Sequence, residues 1–318
     1  EMRSMVLAVV VFFIIGSFIL IPFPGISQMS KADFTDPQQA LTALSLYKGM
    51  TMHSQSLGPI VAAFATLVLG DLVFSIKKWD KLYVAMLLIS PILIYKTSSR
   101  TAMGTYLVGF MVILWFAMQA RGLGARWKGK ILSVTWMIVI VALMAVVAIP
   151  QMQRGVLQFA LKFGEVDANH GVSLEQMTSS RQGLIDEALY NYRKKPFIGN
   201  GFQVSEEMAC ENKKSVKDYL TAPIEKGVWV TAVLEEGGLP GLLLFAGFIL
   251  AAIVILVKRK AYISVVVFMT LVVSNLGEFT FFSMSYTGGM IWVLVFVATI
   301  FDAQRLRQQS APMIGRLY

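Results

Sequence analysis

Apolar residues fall into runs that could each cross a bilayer, at 4–22, 57–76, 81–97, 101–119, 131–149, 239–257, 261–276 and 289–303. A spanning helix uses roughly 20 apolar residues, so the pattern predicts an all-α, polytopic membrane protein with about eight transmembrane helices. Residues 150–226 interrupt it with a long polar connection. Within that connection Leu184, Ile185, Ala188, Leu189 and Tyr192 recur at helical spacing, and Ser179 with Gln182 fits a capping box. The helix they predict should stop before Pro196, where Gly199-Asn200-Gly201 reads as a turn. A second short apolar stretch, Gly227–Glu236, ends in the breaker Gly237-Gly238-Leu239-Pro240-Gly241 and reads as a re-entrant or interfacial helix leading into the sixth span. No period of 20–50 residues recurs, so 1–318 is expected to be a single membrane domain. The first residue is Glu1 and a hydrophobic span begins at once, from which we expect sequence upstream.

Charge sets the expected orientation. Lys and Arg number 28 against 19 Asp and Glu, a net charge of +9. Fourteen of these cations lie in alternate short connections: Arg3; Lys77, Lys78 and Lys81; Arg121, Arg126, Lys128 and Lys130; Lys258, Arg259 and Lys260; Arg305, Arg307 and Arg316. The opposite short connections hold four, Lys31, Lys48, Lys96 and Arg100. The positive-inside rule then places both termini in the cytoplasm and 150–226 outside. The excess of cations thus points to membrane orientation, and no nucleic-acid partner is expected. Only 15% of residues are charged, against about 25% in an average soluble domain. One cysteine, Cys210, and two histidines, His53 and His170, exclude an internal disulfide and a Cys/His zinc cage.

Candidate chemistry gathers on the outer side. Ser-Ser-Arg occurs at 98–100 and at 179–181, each time where a helix is predicted to begin. An arginine in a first turn opposes the helix macrodipole at a cost of about a few tenths of a kcal/mol. An anion bound there would gain from the guanidinium and from the free backbone N–H groups together. Arg100 and Arg181 are therefore candidate phosphate ligands, against the plainer readings of a snorkelling side chain and a solvated loop helix. Asp71 lies within a predicted span but within reach of Lys77 and Lys78, which favours an ion pair. Glu235, Glu236 and Glu278 could serve as bases or simply hold helix ends in water. His53 and His170 read as solvated loop residues. Arg193-Lys194-Lys195 complements the C-terminal dipole of the loop helix. No Gly-x-x-x-x-Gly-Lys-Ser/Thr loop occurs, which argues against ATP-driven transport by this chain.

The order of these features resembles the O-antigen ligase and polymerase superfamily. The resemblance runs from about Tyr47 to Leu256 and rests on Lys48-Gly49-Met50 through Leu57-Gly58, Ser99-Arg100-Thr101, Ser180-Arg181, Pro196-Phe197-Ile198-Gly199-Asn200-Gly201-Phe202 and Glu236-Gly237-Gly238-Leu239-Pro240-Gly241. It implies a glycosyltransferase of the bacterial inner membrane that moves a glycan from an undecaprenyl-diphosphate carrier to a glycan or lipid-glycan acceptor on the outer face. Arg100 and Arg181 match the arginines thought to hold the diphosphate. The His-Asn pair that ligases carry ahead of the Glu-x-Gly stretch is replaced by Gly227 and Val228, which leaves polymerisation or another acceptor open. A carboxylate is expected to accept the proton of the incoming hydroxyl, with Glu225, just before, as the candidate, and Arg181 to stabilise the leaving diphosphate. No metal or other cofactor is required. The rival expectation is a transporter or flippase for a lipid-linked sugar or another anion, which should show internal repeats and helices broken near the bilayer midplane.

Overall fold

The computed structural model describes residues 2–28, 47–51, 54–74, 81–97, 99–119, 185–201, 228–277, 281 and 286–310. Every element among them is helical: α1 (Met2–Ile19), α2 (Pro24–Ser27), α3 (Ser54–Phe74), α4 (Lys81–Lys96), α5 (Arg100–Gln119), α6 (185–194), α7 (Trp229–Lys258), α8 (Tyr262–Ser274) and α9 (Tyr286–Ser310). A lone antiparallel bridge joins Gln28 to Tyr47.

Seven of the eight predicted runs fall on helices, while 131–149 lies outside the described residues. Four helical segments are long and apolar enough to cross a membrane: Ser56–Phe74, Arg100–Gln119, Trp229–Lys258 and Gly288–Arg307. Leu7–Ile19 and Tyr262–Ser274 are apolar but shorter, as is the 16-residue α4. Four helices of full spanning length thus lie among the described residues.

The bundle is organised around α3, which packs against α4, α5, α8 and α9. Its membrane-length stretch is 78% buried, against 11% for that of α7. Small residues set the spacing: a Cβ at Gly109 of α5 would run into Thr66 of α3 and approach Thr270 of α8 within 2.9 Å. Three helices therefore meet at one point with almost no side chain between two of them. Such contacts hold apolar helices together where hydrophobic burial supplies little between them. Thr66 and Thr270 satisfy their hydroxyls on carbonyls of their own helices.

The two ends of the bundle differ. At the end carrying Lys258, Arg259 and Lys260, Asp302 accepts from the Ser264 N–H and hydroxyl, both at 2.7 Å, and pairs with Arg305 at 3.2 Å. Arg305 also donates to the Lys260 carbonyl and lies over the rings of Phe74 and Tyr262. This basic end ties α8 to α9. The opposite end, where α3, α5 and α7 begin, holds the glycine-bearing motifs.

Candidate functional site

The site starts from α6. Its helical register is the predicted one, with Ala188 buried, and it ends just before Pro196, since the residue ahead of a proline is driven out of the helical region. The chain then turns through Gly199 at φ 70° and Gly201 at φ 98°, conformations open mainly to glycine. The capping box at Ser179 and Gln182 lies outside the described residues.

The partner of this turn is a break in α7. Gly238 has φ 64° and ψ −166°, a region that only glycine adopts readily, and Pro240 follows with no N–H to continue the earlier helix. The break is a reversal. A straight helix would separate Trp229 from Phe245 by about 24 Å, yet their rings stand 5.4 Å apart. Residues 229–237 therefore fold back along the start of the longer segment. This agrees with a separate short helix ahead of the sixth span, here continuous with it as one broken element.

Residues 196–201 dock onto the reversal through the backbone. Asn200 N–H donates to the Glu235 carbonyl at 2.8 Å, Gly201 N–H to that of Glu236 at 3.0 Å, and Leu239 N–H to that of Pro196 at 2.8 Å. These bonds occupy carbonyls and an amide that the helix can no longer pair once it breaks. The approach leaves no room for side chains at the crossing. A Cβ on Gly199 would lie 2.7 Å from the Gly237 nitrogen, and one on Gly238 would lie 2.7 Å from the Pro196 oxygen. Two motifs some forty residues apart in sequence thus form one structural unit.

Docking also changes the character of the two acids. Glu235 and Glu236 are only 3% and 8% exposed, so they do not hold a helix end in water. Asn191 of α6, itself buried, donates from Nδ2 to Glu235 Oε1 at 2.8 Å. Sequence reasoning missed Asn191, since nothing local marks a partner 44 residues away. Asn200 presents both ends of its carboxamide, buried and without a hydrogen bond among the described residues.

Arg100 opens α5 as expected. Ser99 caps the helix by accepting the Ala102 N–H on its hydroxyl at 3.2 Å, and its carbonyl accepts the Met103 N–H at 3.1 Å. Gly58 of α3 sits against Thr97, Ser99 and Ala102, and Gly277 sits against Thr101. Two residues before Gly277, the Asn275 carbonyl accepts the Trp229 N–H at 3.1 Å. The start of α5 and the start of α7 are therefore joined through the end of α8. Arg100 is half-buried and engaged by other groups.

The remaining motif, Lys48-Gly49-Met50, packs at the same end. Lys48 and Gly49 donate their N–H groups to the Ser27 carbonyl, Met50 N–H donates to the Ser17 hydroxyl, and the Tyr47 hydroxyl donates to the Ser17 carbonyl. Burial pushes the Tyr47 phenol up to about 12. Asp71 is buried within α3 and engaged by other groups, while Lys77 and Lys78 lie outside the described residues. Arg181, Glu225, His53, His170 and Glu278 also lie outside them. Among the described residues, no three His, Cys, Asp or Glu side chains come together as a metal-binding group. A signal for the Asp302–Arg305 pair was present in the sequence, as opposite charges three apart near the end of an apolar helix.

Compared with protein-family models and with curated proteins, the chain matches none.

Proposed function

We propose that the protein is a membrane glycosyltransferase of the O-antigen ligase or polymerase type, acting on the outer face of a bacterial inner membrane. In this reading the chain crosses the membrane eight times, both termini are cytoplasmic, and 150–226 forms the outer loop over the site. The observation that carries the reading is the docking of Pro196–Gly201 on the α7 break, which buries Glu235 and Glu236 at the end where Ser99-Arg100 opens α5. A protein that needed only to span a bilayer gains little from two buried carboxylates and a glycine crossing at one helix end.

Arg100 and Arg181 would hold the lipid diphosphate and stabilise it as the glycosidic bond breaks. A carboxylate would accept the proton of the attacking hydroxyl. Glu225 takes that role from the sequence, and Glu235, oriented by Asn191 at the end where Arg100 opens α5, is a second candidate. The donor and acceptor of the Asn200 amide match the needs of a sugar hydroxyl.

The broken α7 gives a transporter of a lipid-linked sugar one specific feature in its favour. The break, however, lies 20 residues from Lys258, about 30 Å along the helix, which is an interface-to-interface distance and not a midplane one. The test is glycan transfer by purified protein in nanodiscs with a lipid-diphosphate-linked oligosaccharide. Longer glycans or a glycosylated acceptor are expected from the wild type and not from Arg100→Ala or Arg181→Ala. Movement of the donor across the bilayer with its glycosidic bond intact would replace the enzyme by the transporter.

A further inference from the structure

The tip of the docked turn is apolar and outward-facing. Phe197 is 72% and Ile198 84% exposed, although the backbone on both sides of them is fixed to α7. Tyr190, on the last turns of α6, is also exposed, and Arg193, Lys194 and Lys195 form an exposed basic run immediately before the tip. The depth of this feature follows from α7. Leu239–Lys258 is 20 residues, about 30 Å of helix, which equals the thickness of a bilayer's hydrocarbon core. Lys258, Arg259 and Lys260 mark one headgroup layer, so Leu239 lies at the other. Leu239 N–H is bonded to the Pro196 carbonyl, which brings Phe197 and Ile198 to that same boundary. The exposed face of α7 continues from there through Leu243 and Leu244, 63% and 77% exposed.

We propose that the Phe197-Ile198 tip is a membrane-interface anchor that seats in the headgroup–acyl boundary of an anionic leaflet. The apolar pair enters the boundary, and the Arg193–Lys195 run pairs with lipid phosphates above it. Because the tip is fixed to the Gly238 reversal, the anchor sets the height and tilt of the Glu235–Asn191 unit over the bilayer. This inference rests on α7 crossing the membrane and not on the enzymatic reading, so glycan transfer could fail while the anchor stands.

The test uses the whole chain in proteoliposomes with Cys210→Ser, which removes the one cysteine, and a nitroxide on Ile198→Cys. Labels at Lys195→Cys and Leu244→Cys give the headgroup and acyl references. Collision with oxygen is compared with collision with a water-soluble nickel chelate. At 198 the oxygen-to-nickel ratio is expected to be several-fold above that at 195 and below that at 244. It should rise when phosphatidylglycerol is added to phosphatidylcholine, and Arg193→Gln with Lys195→Gln (here without the 195 label) should abolish that rise. Free access of the nickel chelate at 198 would overturn the anchor, as would shielding from both reagents, which would mean that protein covers the tip. A ratio insensitive to phosphatidylglycerol would overturn its anionic specificity.

Discussion

At the scale of single residues, the contact between Asn191 and Glu235 is the most informative. A buried carboxylate that loses one of its donors meets a desolvation cost of about 1–3 kcal/mol, so Asn191→Leu should lower the unfolding temperature in detergent and Asn191→Asp should lower it further by placing two acids together. Glu235→Gln keeps an acceptor for Asn191 and should be better tolerated in stability. If Glu235 works in transfer, its rate should fall in Glu235→Gln even though the fold is kept. Tyr47 gives a pH signature. Its folded value of about 12 lies above the ordinary 10, so the neutral phenol is the form the folded state favours. The stabilisation is fully present below pH 10 and is lost as pH rises from about 10 to 12, by about 1.4 kcal/mol per pH unit. An alkaline series of unfolding temperatures should therefore fall more steeply for the wild type than for Tyr47→Phe.

At the scale of elements, the decisive feature is the crossing of 196–201 over the α7 reversal. Gly238→Ala should cost about 1–3 kcal/mol from backbone strain alone, and its methyl would also collide with Pro196 and Phe197. Gly237→Ala, one residue away with nothing within 4 Å of the added carbon, should leave unfolding and limited proteolysis unchanged. The contrast between neighbours tests the crossing itself. Much of this region could be read from the sequence: the stop before Pro196, the turn at Gly199 and Gly201, and the break at Gly238 are all local consequences of proline and glycine chemistry. Their docking could not be read, because backbone hydrogen bonds between segments forty residues apart carry no side-chain signature. The same blindness made Glu235 and Glu236 look like solvated helix ends, when the segment that covers them lies in another part of the chain. Arg100 was legible because its helix start is local, with Ser99 as the cap.

At the scale of the molecule, apolar periodicity located the described helices and most of their ends to within three residues; α7 begins ahead of its run, at Trp229, and α9 continues past its run to Ser310. The centre is held by the meeting of α3, α5 and α8, and Gly109→Ala should strain it by about 1–3 kcal/mol through overpacking. Adding Thr66→Ser, which removes the methyl that the new carbon meets first, should recover part of the loss, while Thr66→Ser alone recovers nothing. Unfolding of the three variants in one detergent checks this. The reversal at Gly238 has a consequence for synthesis. Residues 196–201 leave the ribosome some forty residues ahead of Glu235, Glu236 and Leu239, whose backbone groups fix their place, and in the proposed topology Leu239 is also the first residue of a membrane-crossing helix. In that topology the turn is completed only as α7 enters the membrane, and a chain arrested before Glu235 would carry Phe197 and Ile198 without the backbone bonds that fix the turn to α7. In the proposed topology, docking of the turn and insertion of α7 become a single event in biogenesis.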